Sequence, residues 1–271
     1  MNAVDSHSHI HFRHFRKDMD QVIRRAFAAG VNAMLAVGID PDDCRHALEV
    51  ARQHENIFIS LGIHPQNAGE FGVDDVQSLS GLVKDGPVVA VGETGFDLYR
   101  TPESEAAQEE LFRAHIELAR KLKLPLVIHD REAHAQTCRV LDDTGGWSLG
   151  GVFHCFSGDV GLARRVVENG FFVSVPGVVT FRNAGVLRDV VRTVPLEYLL
   201  AETDAPYLTP EPFRGKRNEP AYVVHTIQEM ANIKGMNSED LARITTENFE
   251  RLFLRPLFRN LKGPKPTVTE A

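Results

Sequence analysis

The chain has 271 residues, 43% hydrophobic and 25% charged, with a formal net charge of -7. These are ordinary globular proportions, and the length fits two small domains or one large α/β domain. The net acidity excludes a broadly basic surface that grips nucleic acid regardless of sequence, though not a local basic groove.

Three cysteines, Cys44, Cys138 and Cys155, form no C-x-x-C pair. They read as reduced thiols of a cytosolic protein rather than a disulfide framework. No signal peptide fits the first residues, and no apolar run approaches the ~20 residues of a membrane span. The expectation is a soluble, cytoplasmic protein.

The first element is AVDSHSHI, in which Asp5, His7 and His9, with His11 just beyond, fall at every second position. An extended chain points alternate side chains the same way, so these groups are aimed at one volume. Seven more apolar runs follow: VNAMLAVGI (31–39), IFISLGIHP (57–65), VVAVGETG (88–95), LPLVIHDR (124–131), GGVFHCFSG (150–158), FFVSVPG (171–177) and LLAETDAP (199–206). Most are rich in Val, Ile, Leu and Phe and bounded by Gly, Pro or polar residues, as strands covered on both faces are. Helical patterns lie between them, clearest at 18–30, 41–54 and 103–124, with two more near 219–235 and 238–253. Gly30 and Gly170 sit where helices should stop. Alternating strands and helices imply parallel strands with right-handed crossovers. Eight units in this length predict a (β/α)8 TIM-like barrel over residues 1–255 as one domain, with an open doubly wound sheet as the alternative. The polar, Pro-rich tail 256–271 is expected to be loose.

Polar residues close these runs at their C-terminal ends: Asp5, His7 and His9, then His64, Glu93, His129, His154 and Asp204. In a barrel these ends meet at one mouth, where active sites are built. Four of these imidazoles with two of the carboxylates already exceed the roughly three protein ligands of an open catalytic zinc. They suit two divalent ions with one carboxylate bridging. Imidazole suits Zn, Mn, Co or Ni better than Mg or Ca.

These residues carry a resemblance to the TatD family of metal-dependent hydrolases, in the amidohydrolase superfamily. It runs through DSHSHI, GIHP, VGETGFDLYR, PLVIHDRE, HCFSG, ETDAPYLTP, RGKRNEPAYV and TTENFERLF, from Val4 to about Phe253. The resemblance implies a TIM-like barrel and two divalent metal ions per chain, with phosphodiesters as substrates. Members are reported as 3′–5′ exonucleases or DNases, and some are assigned deacylation of D-aminoacyl-tRNA. By this likeness His7 and His9 hold one ion and His129 and His154 the other. Glu93 bridges, and Asp204 contacts the first ion and the attacking water, so Asp204 and Glu93 are the catalytic pair. Asp5 is expected to orient a ligand histidine, and His11 to lie near the ions but not on them. Thr94, Phe96, Leu98 and Pro176 depart mildly from the family pattern, and none of these departures removes a ligand.

The nucleic-acid substrate, DNA or aminoacyl-tRNA, needs phosphate contacts. Arg214, Lys216 and Asn218 in RGKRN are candidates for a phosphate clamp, a solvated basic turn being the alternative. Arg131 can assist, since guanidinium fits phosphate oxygens bidentately. His64 is either a phosphate donor or structural. Cys155, next to His154 on an extended run, is expected to point away from the ions. His14, His46, His54, His115, His134 and His225 read as surface or packing residues. A small-molecule amide or lactone hydrolase, or a non-catalytic metal-binding protein, remains a rival reading.

Overall fold

The computed structural model describes residues 1–254; the expected loose tail, 256–271, lies outside the described residues. Eight strands form one parallel sheet in sequence order. They are β1 (Ala3–Ser8), β2 (Val31–Val37), β3 (Ile57–Leu61), β4 (Val88–Asp97), β5 (Leu126–Arg131), β6 (Gly151–Phe153), β7 (Phe172–Val175) and β8 (Leu199–Ala201). The sheet curls until its last strand meets its first. Ser8 bridges Ala205 in parallel, the His9 N–H donates to Ala205 O at 2.8 Å, and the Asp204 N–H donates to His7 O at 2.9 Å. The expected (β/α)8 barrel is therefore the observed architecture.

Nine helices lie among the described residues: α1 (Met19–Ala28), α2 (Pro41–Ala51), α3 (Val73–Ser78), α4 (Glu105–Leu122), α5 (His134–Thr144), α6 (Val160–Glu168), α7 (Gly185–Thr193), α8 (Val223–Lys234) and α9 (Ser238–Phe249). Their starts follow capping chemistry. The side chains of Asp40, Asp159 and Asn237 accept the N–H of Asp43, Leu162 and Glu239, and Pro41 opens α2. Gly30 and Gly170 end α1 and α6 with φ of 87° and 79°, a backbone that a side chain would strain. No helix among the described residues is long and apolar enough to cross a membrane.

The core has two layers. One lies between the sheet and the helices. The other fills the barrel with Val4, Leu35, Val89, Val127, Val152, Phe172 and Leu200, and Phe249, Leu252 and Phe253 plug it from below. These three come from α9 and the wide turn Glu250–Leu254 that follows it. Side chains two apart on a strand share a face. The positions two beyond Val127, Val152 and Leu200 are His129, His154 and Glu202. The strand pattern that fills the floor thus delivers polar groups to the mouth.

Two expected strands are shorter than their apolar runs. β6 ends at Phe153 and β8 at Ala201, so His154 and Asp204 stand on turns just past the sheet. Asp204 itself and Cys155, the neighbour of His154, have φ of 54° and 44°. β1 is irregular as well: its register against β2 shifts between Asp5 and Ser8. Asp5, His7, His9 and His11 therefore do not share one strand face.

Candidate metal centre

Glu93, near the middle of β4, is the pivot of the mouth and is almost fully buried. Its Oε2 lies 3.3 Å from His7 Nε2 and 3.8 Å from His9 Nε2. Its Oε1 lies 2.6 Å from His129 Nδ1, 2.7 Å from His154 Nε2 and 3.3 Å from His64 Nε2. Asp204 Oδ1 joins the first group, 3.5 Å from His9 Nε2 and 3.7 Å from His7 Nε2. The six residues expected to hold metal converge, with one oxygen of Glu93 turned to each group.

The far nitrogens of these rings decide what the near ones can do. His9 Nδ1 is 2.8 Å from Val37 O, His129 Nε2 is 3.3 Å from Asp97 Oδ2, and His154 Nδ1 is 3.5 Å from Glu202 Oε1. An oxygen close to one ring nitrogen favours the proton there and leaves the other lone pair free for a cation, and for His9 that hydrogen bond is made. His64 is the inverse. Its Nδ1 accepts the Gln66 N–H at 3.1 Å, so the neutral ring carries its proton on Nε2. His64 therefore turns a donor, not a lone pair, toward the centre.

Burial opposes ionisation of Glu93, yet His154, His64 and His7 hold its carboxyl well below the usual range. Burial likewise opposes the charging of His154, but Glu93 and Glu202 lift it well above an ordinary imidazole. Burial, reinforced by His154, lowers His7. Against its own burial, Asp204 is held down by hydrogen bonding to His9 and by the charge of His7. Several buried atoms of these residues have no hydrogen-bond partner: His7 Nε2 and Glu93 Oε2 on the inner side, and His7 Nδ1, His129 Nε2 and His154 Nδ1 on the far side. Such orphans are costly. Divalent cations would satisfy the inward-facing ones, and the donor set of imidazoles and carboxylates fits them. Three ligand-rich groups meet here: His7, His9 and Asp204; His64, Glu93 and His129; and His7, His154 and Glu202.

Other expectations fare differently. Asp5 does not orient a histidine ring. Its carboxylate accepts the Thr203 N–H at 2.8 Å and the Thr203 hydroxyl at 2.5 Å, holding the turn that carries Asp204. Burial pushes its carboxyl up to about 8. The His11 ring lies 6.2 Å from that of His9, and its Nε2 is 2.8 Å from Asp43 Oδ2. Asn218 is buried and its amide is consumed internally, donating to Thr203 O and Tyr207 O and accepting from the Glu219 N–H. It braces the same turn rather than facing substrate. Arg214 lies over the ring of Phe181 and Lys216 over that of Phe213, and neither lines the pocket above the centre. Cys155 does not point away, because β6 has already ended: it lines that pocket, and burial pushes its thiol far above the ordinary range.

The pocket encloses about 690 Å³ and includes His64, Arg100, Arg131, Phe12 and Tyr207 in its walls. The Arg131 guanidinium sits 4.2 Å from the centre of the Tyr99 ring. Sequence reasoning missed Arg100, Asp97 and Glu202. Asp97 and Arg100 sit in VGETGFDLYR beside Glu93, and Glu202 would have followed from the two-residue period after Leu200.

Residues 4–254 match the family described as TatD related DNase. The chain belongs to the TatD family. Among TatD relatives, the metal-dependent hydrolase YcfH of Escherichia coli K12 is 43% identical over 256 residues, covering 93% of this chain and 96% of that protein. The 3′–5′ ssDNA/RNA exonuclease TatD of Citrobacter rodentium is 36% identical over 244 residues, covering 88% and 93%. The crystal structure of YjjV, a TatD homologue from Escherichia coli K12, superposes with a TM-score of 0.87 at 28% identity, covering 93% and 98%. The TatD assignment accounts for both the barrel and the ligand-rich mouth.

Proposed function

We propose that this TatD-family protein is a two-metal phosphodiesterase of nuclease type, acting on single-stranded DNA or RNA. The observation that carries the reading is Glu93, with one oxygen facing His7 and His9 and the other facing His129 and His154. A carboxylate so placed suits a bridge between two ions a few Å apart. His7, His9 and Asp204 would hold one ion, His129 and His154 the other. The ions, when bound, supply Lewis acidity and lower the pKa of a water molecule toward ~7.

The chain's own residues do the rest. Asp204 Oδ1, beside the first group and at the pocket wall, orients the attacking water and takes its proton. His64 donates from Nε2 to a phosphoryl oxygen as charge develops there. Arg131, braced by Tyr99, and Arg100 supply cationic donors to flanking phosphates. Phe12 and Tyr207 give the same pocket aromatic faces against which a base can stack. Paired arginines and aromatic rings support a nucleotide chain over a neutral lactone or amide, as does the similarity to the Citrobacter exonuclease.

The test is a metal-supplemented assay on 3′-labelled single-stranded DNA and RNA, with D-aminoacyl-tRNA in parallel and ion content measured by elemental analysis. Stepwise release of mononucleotides with two ions per chain is expected. Ester cleavage of the aminoacyl-tRNA with inert polynucleotides would overturn the nuclease reading, and saturation at one ion would overturn the binuclear one.

A further inference from the structure

Glu202 has no part in that chemistry, yet it is one of the most deeply buried carboxylates of the chain, with no exposed surface. Its Oε1 accepts the Cys155 N–H at 2.6 Å and lies 3.5 Å from His154 Nδ1. Its Oε2 has no hydrogen-bond partner, and neither has His7 Nδ1 or His154 Nδ1. His7 and His154 are stacked, with ring centres 3.8 Å apart and planes within 13°. Both rings turn Nε2 to Glu93, one to each of its oxygens. One ligating atom from each of His7, His154 and Glu202 lies within 4.8 Å of the others.

A buried carboxylate with an unused oxygen, beside two stacked imidazoles whose Nδ1 atoms lack acceptors, has a clear chemical reading. We propose that Glu202 is a shared positioning residue for both ions, accepting Nδ1–H from His7 and from His154 and so keeping both Nε2 lone pairs directed at the metals. This rests on the two-ion reading above. A ligating histidine almost always donates its other ring N–H to an oxygen acceptor such as a carboxylate. Here one would serve a ligand from each site. The Cys155 N–H anchors the carboxylate from the turn after β6, so it cannot swing to one ring at the expense of the other. The arrangement would couple the sites, because a ligand ring from each would share one carboxylate and a change in one N–H···O bond would be felt by the other.

The experiment compares wild type, Glu202→Gln and Glu202→Ala by calorimetric titration of the chelated, metal-free proteins with Zn²⁺, and by the visible spectrum of the Co²⁺-loaded forms. Metal-free melting temperature reports folding independently. Glu202→Ala removes both acceptors and should weaken both ions by about 10–100-fold, with altered cobalt bands. Glu202→Gln keeps one oxygen and places an NH₂ at the other ring, so it should weaken one ion much more than the other. Unchanged affinities on a two-ion wild type would overturn the role of Glu202 alone. A lowered melting temperature with normal cobalt bands and affinities would make it a packing residue and also overturn it. A wild type that saturates at one ion would overturn the two-ion reading and this coupling together.

Discussion

The two ends of the barrel are built by the same strands and obey opposite rules. At the floor, Val127, Val152 and Leu200 meet Phe249 and Phe253, and the packing is wholly apolar. Two residues further along, the same strands and their turns deliver His129 and His154 to Glu93, and Glu202 behind His154, with polar atoms left unpaired. The floor gains stability from burial; the mouth gives some up, and that deficit is what makes it receptive to cations. One repeat of the strand pleat separates the two regimes.

The strongest test of that division is Asp204→Asn. If the mouth serves chemistry and not stability, turnover should fall by ~10²–10⁴. The circular dichroism spectrum and most of the bound metal should be retained. Loss of metal in step with activity would make Asp204 chiefly a ligand, and near-normal turnover would remove it as the base.

The mirror-image experiment is Phe253→Ala, which empties part of the plug. Denaturant unfolding should show a loss of ~3–5 kcal/mol, the usual scale for truncating a buried ring. Turnover per folded molecule should not change at saturating metal. A fall in turnover would mean that floor and mouth are mechanically coupled.

Acid sensitivity sharpens the comparison, because the framework holds a buried histidine of its own. His115 on α4 accepts the Ile63 N–H at Nε2 and donates from Nδ1 to Leu111 O, and burial lowers its pKa from 6.5 to about 4. The unfolded chain therefore binds the extra proton between these values. Stability from this group is intact above pH 6.5 and is lost as pH falls toward 4, by roughly 3 kcal/mol in all. In chelator, His115→Gln should show a shallower decline of unfolding free energy over that window than wild type. Parallel declines would exclude His115 as the acid-sensitive group.

The smallest effect divides the basic residues. Arg131→Ala should raise KM by about tenfold or more, the cost of a charge-assisted hydrogen bond. Arg214→Ala and Lys216→Ala should change it by less than about twofold, as surface substitutions do. A larger effect from the latter pair would return the 214–218 loop to the substrate path.

Much of this was legible in the residues alone. The eight apolar runs, their spacing and the stop glycines specify a barrel because period and punctuation are local properties. The gathering of His7, His9, Glu93, His129, His154 and Asp204 followed from topology, since parallel strands bring their ends together. What could not be read was orientation past a strand end. Cys155 was expected to point away because an extended chain alternates, but the chain there turns with φ of 44°. Asp5 and Asn218 looked like site groups, yet both bond the 203–207 turn. The partner of Asp5 lies 198 residues away, beyond the reach of any pattern, and those of Asn218 sit in a turn whose path no periodicity gives.

The seam where β8 meets β1 has a consequence for biosynthesis. Asp204 hangs from His7 O, and Thr203 from the carboxylate of Asp5, so the candidate base is seated by residues that are 198 positions apart in the chain. A chain still emerging from the ribosome can fold its early helices, but it lacks this closure until more than two hundred residues are free. If the enzyme cuts nucleic acid, it is harmless while it is being translated, beside the very messenger that encodes it. Arrested chains that expose residues 1–198 should bind zinc poorly and leave single-stranded RNA intact, and nuclease activity in such chains would show that the centre forms without its final strand.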